Sequence, residues 1–331
     1  MISVIISGNI FLLMNFIRVK NSPLNVVVIS IRQLMESNCL FEADFSSSFL
    51  RIRNDNQSNF ILRIILVVFI LTISIFGFSQ NVKKIISLAP SITENIYLLG
   101  AQDKLVGCTS YCTQAVADGK EIIGTTIEVN VEKIFALQPD LVLTMELTKS
   151  QDLEAMKKLG LNVELILTPK TFEEICDQTI QIGKLIGFEE SAQKVIQETE
   201  QIVNDIKQKS AQLPNKQKIF FQIGASPIFT VLQNTFMDEF ILLNNAENIA
   251  NGMTRGTMTR ESVLVKNPDV IIVATMGGFG EEEQKTWKSY TGLAAAKNDK
   301  IFLIDSEIAC SPTPDNFAKT LSSVYQFLSQ E

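Results

Sequence analysis

Histidine is missing from this chain altogether, and tryptophan occurs once in 331 residues. Without imidazole there is no histidine-based catalytic triad, no histidine ligand for zinc and none for haem iron. Catalysis by carboxylates or thiols remains open, with five cysteines available. Positive charge is also short, 29 Lys+Arg against 36 Asp+Glu for a formal net charge of −7. The deficit is uneven. Residues 1–79 hold six bases and four acids, so the remainder carries a net charge of −9. A body that acidic excludes a nucleic-acid partner, which requires a basic surface. What is abundant is apolar residue, 46% of the chain. At about 100–200 residues per domain, the length accommodates two lobes and a sizeable core.

Ile64 to Phe78 is an apolar run relieved by Thr72, Ser74 and Gly77, with Arg63 before it and Arg51 and Arg53 further upstream. Gly77 and Ser79 occupy the −3 and −1 positions of a cleavage before Gln80. Positive flank, apolar centre and small-x-small exit predict a secretory signal over residues 60–79. The same span, Phe60–Phe78, is about long enough to stay uncleaved as a membrane anchor. No cysteine at the exit offers a lipid attachment point. Residues 1–59 mix apolar patches (Ile2–Ile6, Val26–Ile31) with Ser/Asn-rich stretches and show no sustained period. They are set apart as an N-terminal extension, either an over-long gene start or a disordered segment.

From Lys83 onward short apolar runs alternate with amphipathic stretches, which predicts a mainly parallel α/β arrangement. The expected strands are Ile85–Leu88, Leu141–Thr144, Val163–Leu167, Ile219–Ile223, Val270–Ala274 and Ile301–Ile304. After the first, Ser91-x-x-Glu94 reads as a capping box and Gly100 as the helix stop. Between Glu189 and Leu213, Ala192, Val195, Ile196, Thr199, Ile202, Val203 and Ile206 follow a 3.6-residue period, and Pro214 ends it. A rod of about 24 residues, roughly 36 Å long, would join two lobes with little room for a wide hinge. The expected organisation is therefore a lobe over 83–188, a linking helix over 189–213 and a second lobe over 217–331.

An internal echo supports two similar lobes. Glu132 precedes Pro139-Asp140 and an apolar strand, and Glu261 precedes Pro268-Asp269 and another, at identical spacing. Each acid can serve merely as a first-turn residue that suits the helix dipole. The repetition favours a second role, one carboxylate per lobe offered to arginines of a two-fold partner.

Other candidates are less defined. Cys108 and Cys112, spaced C-x3-C, could form a disulfide, a metal half-site or independent thiols, with Cys310 expected at the same end of the other lobe. A thiol-redox protein using Cys108 and Cys112 is the competing reading from another class, although the spacing differs from C-x-x-C. Cys176 lies mid-helix and reads as core. Tyr111 in a polar loop and Phe229 in a loop after a strand suit contact with a planar ligand, and Asp305 ends a strand facing the same rim. The glycines around Gly278 lack the Lys and Ser/Thr of a phosphate loop and read as a tight turn. Trp287 and Tyr290 read as an aromatic pair of core or rim.

Taken in order, Ile85-Ile-Ser-Leu-Ala-Pro90-Ser-Ile-Thr-Glu94, Leu99-Gly100, Val106-Gly107, Glu132…Pro139-Asp140, Phe220-Phe221-Gln222-x-Gly224, Glu247-Asn248-Ile249, Arg260-Glu261-Ser262-Val263-Leu264 and Ser311-Pro312 resemble the cobalamin and iron-siderophore receptors of ABC importers. The resemblance covers about residues 83–331. It implies two Rossmann-like α/β lobes joined by a single long backbone helix, with the ligand cleft between them. It further implies a monomeric, non-enzymatic periplasmic receptor that needs no cofactor or metal of its own. The partner would be a permease dimer with its ATPase subunits. Glu132 and Glu261 match the family's permease-docking acids. Tyr111, Phe229 and Asp305 match positions lining the cobalamin cleft. The resemblance has gaps. Residues 124–129 carry no aromatic where the family's cleft has a tryptophan, and no disulfide cysteine stands near Leu243. Cys108, Cys112 and Cys310 are additions. Cobalamin or another corrinoid is the expected ligand, a ferric siderophore the rival, and haem weaker still, with Tyr111 as its one conceivable iron ligand here.

Overall fold

The computed structural model describes residues 2–6, 10–14, 82–274 and 278–330. The predicted signal segment, 60–79, lies outside the described residues. So does most of 1–59, where the exception is an antiparallel pair, β1 (Ile2–Ile6) with β2 (Ile10–Met14). These strands lie where no sustained strand period was read. They belong to a separate unit, residues 1–77. All that follows concerns the unit from residue 78 to 331.

Its first half alternates strand and helix throughout. β3 (Ile85–Ser87), α1 (Pro90–Leu98), β4 (Leu105–Cys108), α2 (Thr113–Ala117) and β5 (Glu121–Ile122) come first. α3 (Val131–Leu137), β6 (Leu141–Thr144), α4 (Ser150–Lys158), β7 (Val163–Leu165) and α5 (Phe172–Ile186) complete it. The five strands make one parallel sheet in the order β5-β4-β3-β6-β7. A parallel sheet is covered on both faces, so successive residues must feed two cores. Ile85 packs with Ile92, Leu105 and Leu141, whereas Ile86 packs with Ile123, Ile134 and Met156 on the other side.

After α6 (Glu189–Ser210) the second half begins with β8 (Lys218–Ala225), β9 (Ile228–Thr230), α7 (Phe236–Leu242), β10 (Glu247–Asn248) and β11 (Thr257–Met258). α8 (Arg260–Lys266), β12 (Val270–Ala274), α9 (Gly280–Ser289), α10 (Ala294–Lys297), β13 (Ile301–Ile304), α11 (Ser306–Ala309) and α12 (Pro314–Ser329) follow. The sheet order is β11-β9-β8-β12-β13, with β10 also beside β8. β9 runs antiparallel to β8 and β11, so a hairpin stands where the first lobe has a parallel crossover. Phe229 therefore lies in a short strand rather than in a loop. Otherwise the two sheets match, each with its first core strand at the centre and the strand after Pro-Asp beside it.

The sequence echo is a structural repeat. α3 and α8 each have seven residues and are capped by Asn130 and Thr259, which accept from the N–H groups of Lys133 (2.9 Å) and Ser262 (3.2 Å). Both end on a left-handed residue, Gln138 (φ 50°) and Asn267 (φ 44°). Asp140 then accepts from the Lys83 and Lys84 N–H groups at 2.8 and 2.9 Å, and Asp269 from that of Lys218 at 2.8 Å. In each lobe the Pro-Asp unit clamps the start of the neighbouring central strand.

α6, 22 residues and about 33 Å long, buries Ala192 in the first lobe and Val203 and Ile206 in the second. It ends at Ser210, three residues short of Leu213. α5 makes the same crossing in the opposite direction. Phe172 stacks near Phe317 of α12 (centroids 4.8 Å apart) and Ile175 joins the second lobe's core, while Ile182 and Ile186 join the first. Thr171 caps α5 and Gly187 (φ 80°) turns it back into α6. Gly183 lets the two helices meet, since a Cβ there would lie 2.9 Å from that of Ala192. The connection is thus two helices wide.

Around α1 the local reading fails. Pro90 opens the helix, Ala89 (φ −146°, ψ 143°) is its N-cap, and no side chain caps it. The Ser91–Glu94 capping box does not form. Ser91 Oγ instead faces Met145 Sδ at 3.4 Å, and Glu94 turns to the opposite lobe.

Candidate functional site

Loops at the carboxyl ends of parallel strands are where α/β folds place ligands, and here those of the two lobes meet. The loops after β6 and β7 supply Glu146, Thr168 and Lys170, which share a cavity of about 560 Å³ with Ile223, Phe229, Val231, Leu232 and Phe236 of the second lobe. Phe229 is 42% exposed, which leaves an aromatic side chain free to stack on a flat molecule. Across from it, Glu146 Oε2 accepts from Thr168 N (3.0 Å) and Oγ1 (2.7 Å), and these bonds hold its carboxyl below the usual range. An apolar wall with a few fixed polar groups is the usual make-up of a small-molecule site.

A second inter-lobe cavity, about 540 Å³, is lined by Thr93, Glu94, Tyr97 and Cys112 on one side and by Glu307, Ile308, Asn316 and Lys319 on the other. Glu94 Oε2 accepts from Ser311 Oγ and from Asn316 Nδ2 (2.8 Å), joining α1 to the start of α12 across the cavity. Burial pushes its carboxyl above the usual range, and the two hydrogen bonds oppose that. Glu94 is the residue of this cavity most misread in the sequence. Pro90 at the first helical position was the available signal, because it places the N-cap at Ala89 and frees Glu94 for other work.

None of the remaining candidates lines either cavity. Tyr111 is 64% exposed and immediately precedes Cys112. Asp305 is exposed, caps α11 by accepting from Glu307 N (2.8 Å), and stands two residues before the cavity wall. Glu132 and Glu261 both project from exposed first-turn positions of their matched helices. Glu261 is held below the usual carboxyl range by its own backbone N–H and by the Thr259 hydroxyl.

The helix of Glu261 has an anchor that α3 lacks. Arg260 donates to both oxygens of Glu283 (2.6 and 2.9 Å) and lies 4.8 Å from the centre of the Trp287 ring. Trp287 Nε1 donates to Gln222 Oε1 (2.6 Å), and Gln222 Nε2 donates to Glu283 Oε2 (2.8 Å). Position 131, the counterpart of Arg260, is valine. Trp287 is fully buried and pairs with Tyr290 at 5.8 Å, an element of the core rather than the rim.

The thiols separate into two neighbourhoods. Cys108 and Cys112 are buried in the first lobe, whereas Cys310 is half-buried against the second lobe's core. Cys176 is buried, and burial raises its thiol to about 12. Among the described residues these four are free, no group of three or more Cys, Asp or Glu is placed to hold a metal, and no helix is long and apolar enough to cross a membrane. Cys310 therefore does not join Cys108 and Cys112 in one cluster.

Comparison with known proteins agrees with this architecture. Residues 85–308 match the family model described as periplasmic binding protein. The chain is 31% identical over 240 residues to an uncharacterised ABC transporter substrate-binding lipoprotein, YvrC, of Bacillus subtilis, covering 70% of this chain and 76% of that one. It is 28% identical over 275 residues to a vitamin B12-binding protein of Vibrio cholerae, with 80% and 95% covered. The crystal structure of the periplasmic vitamin B12 binding protein BtuF of Vibrio cholerae is similar at a TM-score of 0.64 and 27% identity, with 75% and 97% covered. The family match begins at the first strand of the first lobe and runs into the helix after the last strand of the second, so the chain belongs to the periplasmic binding proteins.

Proposed function

We propose that this protein is the exported solute receptor of an ABC importer and that it carries a corrinoid, cobalamin or a close relative, to the permease. The observation that carries the reading is the inter-lobe cavity in which exposed Phe229 faces Glu146, Thr168 and Lys170. A large planar chelate needs an apolar surface for its macrocycle and polar groups for its rim, and that cavity offers both. Tyr111 and Asp305 would contact the ligand from the neighbouring loops. The similarity to vitamin B12-binding proteins supports a corrinoid within this class.

Glu132 and Glu261, one on each matched helix, would dock onto arginines of the two permease subunits through charge-assisted pairs. Because two helices cross between the lobes, closure around the ligand would be small, and docking itself would spread the lobes to release it. The signal over residues 60–79 would deliver the chain to the periplasm, or hold it at the inner membrane if uncleaved. No step of this cycle calls for catalysis.

Titration of the purified protein with cyanocobalamin, a panel of ferric siderophores and haemin tests the assignment. Saturable one-to-one binding of cyanocobalamin with competition by other corrinoids is expected. Saturation by a ferric siderophore or haemin instead would keep the receptor and replace its ligand. Binding of none of them would remove the chelate reading.

A further inference from the structure

Two cysteines that the receptor reading leaves unused lie beside the second inter-lobe cavity, Cys112 on its wall and Cys108 behind it. Cys108 ends β4, Cys112 caps α2, and the turn between them is closed by the Cys112 N–H donating to the Thr109 carbonyl (3.1 Å). Both cysteines belong to the buried cluster of the first lobe. Thr93 Oγ1, which donates to Ser87 Oγ at 2.8 Å, lies 3.1 Å from Cys112 Sγ, and the Thr109 hydroxyl lies 3.2 Å from the same sulfur. The Cys112 sulfur is thus set against two hydroxyl groups. Cys112 is only 3% exposed, but it lines the cavity, whereas Cys108 lies behind it.

We propose that Cys108 and Cys112 form a redox-active dithiol site, opening on this inter-lobe cavity, that reacts with small disulfides. Cys112 is the attacking sulfur and Cys108 the resolving one. The Cys112 thiolate attacks one sulfur of a disulfide RSSR, forming a mixed disulfide and releasing RS⁻. Cys108 then gives up its proton and attacks Cys112 Sγ. This closes the Cys108–Cys112 bond and expels the second RS⁻. Both leaving thiolates take protons, so one disulfide is reduced to two RSH while the dithiol loses two electrons and two protons. Oxidation replaces a charged sulfur on the cavity wall with a neutral bond.

The hydrogen bonds support this division of labour. They hold the Cys112 thiol below the usual range, led by the bond from Cys108, and the same bond together with burial pushes Cys108 up. Glu94 and Glu307 line the cavity and oppose a nearby anion, Lys319 lines the same space, and Lys120 acts on Cys108. Burial raises Cys310 to about 11 and Cys176 to about 12, which makes them internal references.

The test uses the reduced protein and no transport ligand or permease, so its outcome and that of the receptor assignment are separable. With iodoacetamide at pH 7, peptide mapping should show Cys112 labelled roughly tenfold faster than Cys310, and Cys176 slowest. Equilibration with glutathione disulfide should give a Cys108–Cys112 cross-link in the wild-type map, with the intact mass lower by two hydrogens. Cys108→Ser should instead accumulate a glutathione adduct on Cys112, and Cys112→Ser should give neither product. Cys112 labelling no faster than Cys310, or wild-type protein emerging with both thiols free or with separate adducts and no cross-link, would overturn the proposal. The wild-type map decides the matter even where a serine variant folds poorly.

Discussion

Glu94 of the first lobe and Asn316 of the second are hydrogen-bonded at 2.8 Å, across 222 residues of sequence. Since burial raises the Glu94 carboxyl from its ordinary 4.5, the folded protein holds this proton more tightly than the unfolded chain. Stability should therefore fall as the pH rises from the ordinary glutamate value through the raised one. Glu94→Gln keeps an acceptor for Ser311 and Asn316 but has no charge to desolvate. Thermal melts across that window should show a flattened slope for the variant and a higher midpoint than wild type at neutral pH. A slope equal to wild type would assign the pH response elsewhere.

Phe229 is exposed enough that its removal costs the fold little and the ligand much. Phe229→Ala should weaken chelate binding by roughly 10–30-fold, from about 1.5–2 kcal/mol of lost stacking and burial. Calorimetric titration reads the affinity, and an unchanged melting midpoint would show that only the cavity wall was altered.

Glu132→Ala and Glu261→Ala should separate capture from delivery. Ligand affinity stays at the wild-type value, while uptake into vesicles carrying the importer falls roughly tenfold for either variant and to background for both. Undiminished uptake by the double variant would remove the docking role. The repeat would then be explained by helix capping alone.

The Arg260–Glu283 pair should be costly to break. Arg260→Ala leaves Glu283 mostly buried and uncompensated and strips the cation from the Trp287 ring, a loss of about 3 kcal/mol. Arg260→Lys keeps a cation for Glu283 but loses the guanidinium stacked on the Trp287 ring, and should recover only part of it. Urea denaturation measures both, and a loss below about 0.5 kcal/mol would show the network to be incidental.

Gly183→Val tests the spine. A side chain at this position meets the Ala192 Cβ and the Phe188 carbonyl, at 2.9 and 3.1 Å from the first added atom, so α5 and α6 must move apart. A destabilisation of about 2–3 kcal/mol is expected, readable from the same denaturation curves. The change lies far from the Phe229 cavity wall in sequence and contacts neither α3 nor α8.

How much of this was legible depends on the range over which each signal acts. Leu141–Thr144, Val270–Ala274 and Ile301–Ile304 have the bounds read from the sequence. Each is an apolar run with local punctuation, and a buried parallel strand needs nothing more. β9 and β11 were not, because two or three residues carry no period and Thr257 finds Phe229 only in the folded chain. Glu132 and Glu261 stood out because the whole helix–Pro-Asp–strand unit recurs. Glu94 did not, because its partners are separated from it by more than 200 residues and its helix start resembled a capping box. The cysteine pair was visible as C-x3-C, but the threonine hydroxyls aimed at Cys112 were not, since Thr93 belongs to a different helix.

The crossing of α5 has a consequence for how the chain is assembled. Phe172 and Ile175 fill a core built mostly from residues made later, and the Phe172 N–H is held by Glu239 at 2.5 Å. Cut at Gly187, the protein would yield an upstream fragment with an exposed aromatic anchor and a downstream fragment with a vacant seat for it. Neither piece is expected to be stable alone. Mixed together they should reconstitute, each acting as the template on which the other completes its fold.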